Sequence, residues 1–260
     1  RTINIAKKNG ARVVVEKSKG YGSALIKGIK NSKGKYIIMG DADGSYDFSN
    51  LNPFIRKFKQ NFDVVCGNRF KGGIEKNAMP FLHKYVGNPV LTFIGNLFFK
   101  TSIGDFHCGL RGFPKTAYEK MDLNSQGMEF ASEIVVKASM LNLKITEVPT
   151  TVFAAGRTRK PHLRTFPDGW RHLRFLLLYS PKWLFLIPGI LLFFTGILGL
   201  MVLLNSSSGI EYIRESTLIL GVILFSFQFV VFYGLTKIFA VNHGLIPKST
   251  NYSNLFQYFN

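Results

Sequence analysis

Gly40-Asp41-Ala42-Asp43-Gly44-Ser45-Tyr46-Asp47 follows directly on Lys35-Tyr36-Ile37-Ile38-Met39, and that junction decides the fold. The apolar run has the length and β-branched content of a buried strand, so the carboxylates emerge where a strand ends. In open α/β sheets that edge is where ligands bind. Asp41 and Asp43 stand two apart, and a sharp turn after Met39 lets both reach one hard cation, which takes oxygen ligands and shares them with a substrate phosphate. The plainer reading is an acidic turn, since Asp and Gly serve turns for backbone reasons of their own.

On the N-terminal side, Thr2 to Lys8 reads as the tail of a helix with Gly10 at its C′ position, and Ala11 to Glu16 as a strand. A Gly-rich turn, Lys19-Gly20-Tyr21-Gly22-Ser23, then leads into a helix from about Ala24 to Asn31. With the strand into Asp41 this makes β-α-β order with short connections, which predicts a parallel sheet. An α/β domain that opens on a helix is expected to lack its first strand, so the domain reads as N-terminally incomplete. On the other side, Asn52-Pro53 opens a helix to Gln60, and Asp63 to Cys66 is a second buried strand, followed by a loop at Lys71-Gly72-Gly73. Phe81 to Phe99 is one kinked helix or two shorter ones, broken at Gly87-Asn88-Pro89. Asp105 to Gly112 reads as a polar functional loop, Gly127 to Leu143 as a helix whose Glu129 and Glu133 point together into a cleft or, the favoured reading, into water, and Lys144 to Val152 as a strand.

Hydrophobic residues make up 47% of the 260, and they are unevenly spread. Trp183 to Leu204 and Thr217 to Thr236 are uncharged and exceed the roughly 18 apolar residues that mark a membrane span. A net charge of +18 raises nucleic acid as a partner, but its distribution excludes that class. Arg157, Arg159, Lys160, Arg164, Arg171, Arg174 and Lys182 stand against Asp168 alone and abut the first span, as the positive-inside rule requires of a cytoplasmic segment. Within it, Trp170, Leu173 and Leu177 suit a helix lying in the headgroup plane. Cys66 and Cys108 lack C-x-x-C spacing, so neither a disulfide framework nor a zinc site is indicated. His107 beside Cys108 reads as packing, and His83, His162 and His172 as surface or interfacial side chains.

Three motifs compete for the acidic turn. An EF-hand starting at Asp41 would need Gly sixth and Glu twelfth, where this chain has Tyr46 and Asn52. A haloacid-dehalogenase phosphatase would use Asp41 as nucleophile, but Tyr46-Asp47 replaces the usual apolar pair. The third is the D-x-D of a nucleotide-sugar glycosyltransferase. Lys19-Gly20-Tyr21-Gly22-Ser23-Ala24, Gly40-Asp41-Ala42-Asp43, Gly67-Asn68-Arg69-Phe70, Asp105 through Arg111, Gly127-Met128-Glu129-Phe130 and Gly156-Arg157-Thr158-Arg159, in this order ahead of two spans, carry a resemblance. The chain resembles the family 2 glycosyltransferases that act on polyprenyl phosphates, the group of the dolichyl-phosphate mannose and glucose synthases.

That resemblance implies a GT-A, Rossmann-like α/β domain and a metal-dependent, inverting transfer of glucose or mannose from a UDP- or GDP-hexose to a polyprenyl phosphate. The catalytic domain would lie on the cytoplasmic face of the plasma membrane. It implies Mg²⁺ or Mn²⁺ at Asp41, Asp43 and Ser45, donor contacts from Lys19, Gly20 and Gly22, and catalytic roles for Asp43, Arg69, Asp105 and Arg111. Arg69 would face the acceptor phosphate, and Asp105 would be a base, the orienter of an arginine, or a structural cap. Arg157, Arg159 or Lys160 would supply further phosphate contacts, although Phe153 stands where the family has an arginine. The implied division is a catalytic domain over 1–156, a basic interfacial segment over 157–182, spans over 183–204 and 217–241, and a cytoplasmic tail over 242–260. The implied partners are the nucleotide sugar, the lipid phosphate and the bilayer, with no nucleic acid, and an oligomer is compatible with them. Two competing readings are a processive polysaccharide synthase, whose Gln-x-x-Arg-Trp motif Asp168-Gly169-Trp170-Arg171 does not supply, and a non-catalytic membrane-tethered binding protein.

Overall fold

A computed structural model describes residues 2–156, 164–206, 210–243 and 245–246. The chain forms two compact units, Arg1–Leu176 and Leu177–Asn260. In the first, helices α1 (Thr2–Lys8), α2 (Tyr21–Lys30), α3 (Asn52–Lys59), α4 (Arg69–Gly72), α5 (Asn88–Phe99), α6 (Lys115–Met121) and α7 (Phe130–Met140) surround a four-stranded sheet. Its strands are β1 (Tyr36–Met39), β2 (Val64–Asn68), β3 (Arg111–Pro114) and β4 (Ile145–Pro149), in the order β1-β3-β2-β4. Strand β2 is buried along its whole length, and Tyr46, Phe54, Phe58, Val65, Leu110 and Val148 form a core against it.

The sheet is mixed where a parallel one was predicted. Strands β2 and β4 are parallel, but β3 lies antiparallel between β1 and β2. The α3 crossover does lay β1 and β2 in the same direction, yet leaves a slot between them. Strand β3 enters that slot from the end where β1 stops, since Met39 pairs with Arg111. The segment predicted as one polar loop, Asp105 to Gly112, is therefore a loop only as far as Leu110, and it arrives beside Asp41. Thr150 to Gly156 leaves β4 at that edge too, as Pro149 pairs with Asn68.

Other differences have local causes. Ala11 to Glu16 is not a strand: no ladder partner is present among the described residues, and Val15 is 62% exposed. Arg69 to Gly72 is a turn of helix because Asn68 Oδ1 accepts the Lys71 N–H at 2.9 Å. Phe81 to Phe99 carries a π-helical turn, His83–Gly87, leading straight into α5. Pro89 has no N–H to continue the ordinary ladder, and Asn88 N bonds five residues back to His83 O. Glu133, predicted to face water, is fully buried on α7. It accepts the N–H groups of Asn124 and Ser125 and pairs with Lys137 at 3.0 Å.

The second unit holds α9 (Ile187–Ser206) and α10 (Ile210–Asn242), two helices long and apolar enough to cross a membrane. α10 begins seven residues before the predicted span. Gly196 lets the helices approach closely, since a Cβ there would lie 2.6 Å from Ile223 Cγ1. Helix α8 (Thr165–Leu178) precedes them, with Asp168, His172, Phe175 and Leu176 buried and Phe166 and Trp170 exposed on the other side.

The glycines of α2 supply a test. A Cβ on Gly22 would lie 2.0 Å from Ser125 O, whereas one on Gly28 would meet nothing within 4 Å. Gly22→Ala is expected to destabilise the protein by about 1–3 kcal/mol, and Gly28→Ala to stabilise it by about 0.5–1 kcal/mol. Thermal melts of the detergent-solubilised protein check both signs.

Candidate active site

Beyond β1 the chain turns at Gly40, where a Cβ would strike the Phe48 ring at 2.7 Å. Asp43 Oδ1 accepts the Ser45 N–H at 3.1 Å and also the Ser45 hydroxyl, while Gly44 takes φ +81°. This turn is pinned from outside by backbone: Phe153 N donates to Ser45 O and Gly156 N to Asp43 O, both at 3.0 Å. Asp41 reaches the incoming loop, where a Cβ on Gly109 would sit 2.6 Å from its Oδ2. Burial and the Asp41 charge push the pKa of the Tyr21 hydroxyl up. Tyr46 accepts the Gly109 N–H at 2.9 Å, which fastens loop to turn.

Asp41, Asp43 and Ser45 line a cavity of about 1000 Å³, together with Lys19, Gly20 and Tyr21. Among the described residues no group of three or more His, Cys, Asp or Glu is placed to hold a metal ion. Two carboxylates and a hydroxyl nevertheless suit Mg²⁺ or Mn²⁺. Such ions bind through one or two carboxylates and take further oxygens from substrate phosphate. Gly22 does not line the cavity. Its close approach is to the protein's own Ser125 carbonyl, which also answers for Gly20, where a Cβ would meet Gln126 O at 2.2 Å.

Asp105 is fully buried and grips Arg69 in a fork, with Nε–Oδ2 at 2.6 Å and Nη2–Oδ1 at 2.8 Å, and it also takes the Arg69 backbone N–H. Of the three roles open to Asp105, this geometry is that of an arginine orienter. Arg111 is equally buried, and its guanidinium donates to the carbonyls of Cys108, Phe106 and Ala131. It braces the 105–110 loop from behind and, like Arg69 and Asp105, stands outside the cavity lining. Burial pushes the Cys108 thiol up to about 12, in keeping with a packing role. Arg157, Arg159 and Lys160 lie outside the described residues.

The same cavity is lined by residues that sequence reasoning set aside. His107 and His172 meet edge to face with centroids 4.6 Å apart. Ser132 Oγ lies 2.9 Å from His172 Nδ1 and 3.4 Å from His107 Nε2. Burial pushes His172 down to about 4, and burial, with His172 and two arginines nearby, holds His107 well below the usual range. Asp168, one helical turn before His172, takes the Arg164 backbone N–H at 2.6 Å and pairs with Arg171 at 3.3 Å. The signal in the sequence was the spacing Asp168, His172, Phe175, which puts a carboxylate, an imidazole and an aromatic on one helical face.

Known proteins resemble this chain in sequence and in fold. Residues 1–122 match the family model described as glycosyl transferase family 2. The chain is 42% identical over 212 residues to the low-salt glycan biosynthesis hexosyltransferase Agl6 of Haloferax volcanii, covering 81% of this chain and 50% of the relative. It is 26% identical over 149 residues to the dolichyl-phosphate hexose transferase of the same organism, covering 57% of this chain and 64% of that one. The chain thus spans half to two thirds of the length of these relatives. The fold resembles that of Mycobacterium tuberculosis glucosyl-3-phosphoglycerate synthase, with a TM-score of 0.50 at 16% identity over 68% of this chain and 63% of the other.

The buried imidazoles predict a pH dependence of stability. Above pH ~6.5 they are neutral in both folded and unfolded states. Between there and pH ~4 the unfolded chain takes up protons that folded His172 refuses, so stability falls on acidification. The slope is about 1.4 kcal/mol per pH unit for each such histidine. Melting temperatures from pH 7 to 5 should drop less steeply in His172→Phe than in the unmodified chain.

Proposed function

This chain belongs to glycosyl transferase family 2, and on that footing we propose that it serves a hexosyltransferase activity that moves a hexose from a nucleotide sugar to a polyprenyl phosphate at the cytoplasmic face of a membrane. The observation that carries the reading is that the strand pairing brings the Asp41–Asp43–Ser45 turn after β1 and the Asp105-gripped Arg69 after β2 to one sheet edge, in a chain that also holds two helices of membrane-spanning length. The names of the relatives, a hexosyltransferase and a dolichyl-phosphate hexose transferase, point to the same chemistry.

Asp41, Asp43 and Ser45 are the residues that would hold Mg²⁺ or Mn²⁺, and the ion would supply Lewis-acid charge to the departing diphosphate. Lys19 and the N-terminal end of α2 at Gly20 line the same cavity and carry positive potential toward that diphosphate. An acceptor phosphate is already an anion and needs no strong base. Its oxygen displaces the diphosphate from the anomeric carbon, and attack from the opposite face inverts the configuration there. What it does need is positioning. Asp105 engages Nε and Nη2 of Arg69 and so fixes the direction of Nη1, a rigid donor for one phosphate oxygen. Asp105 thus acts through Arg69, with both its oxygens already accepting hydrogen bonds.

The test uses the full-length protein in membranes with radiolabelled UDP- and GDP-hexoses, polyprenyl phosphate and Mg²⁺ or Mn²⁺. Label is expected in the lipid fraction, and chelation should abolish the transfer. Asp43→Ala should lower kcat about 10²–10³-fold, while Arg69→Ala should chiefly raise the KM for the lipid phosphate. Label that stays in the aqueous phase, or an Asp43→Ala variant as active as the parent, overturns the assignment.

A further inference from the structure

We infer that His107, Ser132 and His172 form the subsite that binds a hydroxyl group of the transferred sugar, and so help to set which hexose is accepted; this rests on the function proposed above. The cavity lining holds charged groups, Asp41, Asp43, Lys19, Arg164, Asp168 and Arg171, and beside them the imidazoles of His107 and His172. Charged groups of this kind suit phosphates and a cation. His107 and His172 offer hydrogen bonds without charge in that cavity, and a sugar hydroxyl is a neutral group that both donates and accepts.

The hydrogen-bond chain has the matching versatility. Suppose the Ser132 hydroxyl donates to His172 Nδ1 at 2.9 Å. His107 Nε2 then carries a proton toward Ser132, and His107 Nδ1 is an acceptor. Suppose instead the hydroxyl turns toward His107. His172 Nδ1 then donates to Ser132, and His107 Nδ1 carries the proton. The two arrangements differ by rotation of the hydroxyl together with a tautomer change at each imidazole, and they make His107 Nδ1 an acceptor in one and a donor in the other. That atom is buried with no hydrogen-bond partner among the described residues, so a ligand hydroxyl that reached it would complete an unmade bond.

The subsite is also tied to the reaction centre. The His107 backbone N–H donates to Asp105 Oδ1 at 3.3 Å, and Asp105 holds Arg69. Ser132 sits on α7, whose neighbouring Ala131 carbonyl receives Arg111. The same two braces therefore set the arginine and the imidazoles.

Binding of UDP with UDP-glucose, and of GDP with GDP-mannose, to the full-length protein with Mg²⁺ separates the sugar's contribution from that of the diphosphate. Ser132→Ala and His172→Phe should weaken the matching hexose conjugate about tenfold and the bare diphosphate less than twofold. His172→Gln, which keeps a hydrogen-bonding group, should recover part of the loss. On the unsubstituted protein, imidazole ¹⁵N spectra should report a tautomer change on adding the hexose conjugate and none on adding the diphosphate. An undiminished sugar contribution in the variants, equal weakening of both ligands, or unmoved imidazole signals overturns the subsite while leaving the hexosyltransferase reading intact. If the protein binds neither nucleotide nor conjugate, the functional reading itself falls, and the subsite with it.

Discussion

A guanidinium removed from water must be surrounded by acceptors, and Arg111 has found three carbonyls at the point where β3 begins. An unpartnered charge in that position would not be tolerated. Two of the carbonyls, from Phe106 and Cys108, belong to the loop just before the strand, and the third, from Ala131, belongs to the central helix α7. The loop is thereby folded back over its own strand and locked to the helix behind it. Everything at the catalytic edge inherits its position from that lock: Asp105 and the arginine it grips, Gly109 against Asp41, and His107 against Ser132.

A second brace acts at the opposite wall. Glu133 gathers the Asn124 and Ser125 N–H groups, and the carbonyls of Ser125 and Gln126 then press on the start of α2 so closely that only glycine fits at 20 and 22. The Gln126 carbonyl also takes the Ser23 N–H. A carboxylate buried on α7 thus decides where Lys19, Gly20 and Tyr21 meet the cavity. Helix α7 serves both walls at once, through Ala131 on one side and Glu133 on the other, which accounts for its burial nearly all round.

Much of this was legible in the sequence, and the exceptions follow a pattern. Local signals held: the strand before Asp41, the Asn52-Pro53 helix start, the Gly10 stop, and the two apolar helices each announce themselves within a short window. The acidic turn was legible because turn chemistry and strand ends are themselves local. What could not be read was long-range partnership. Nothing near Arg111 or Glu133 tells a reader that each charge will be buried and matched by backbone from 20 or 9 residues away. The antiparallel entry of β3 is equally non-local, because a slot between two parallel strands exists only once the sheet has formed. His172, read as a surface or interfacial side chain, is buried for the same reason: it is far from His107 in sequence, and only the packing of α8 and the Asp105 loop against α7 makes them neighbours.

The hydrogen bonds from Phe153 and Gly156 to Ser45 and Asp43 have a kinematic consequence. They join the acidic turn, as one rail of a ladder, to a second rail formed by Phe153 to Gly156. A displacement of that rail along its length would be transmitted to the Asp43 peptide with no side chain in between. The position of the carboxylates is therefore a property of both rails, and insertions or deletions between Val152 and Gly156 would shift the turn's register as surely as a change within the turn itself.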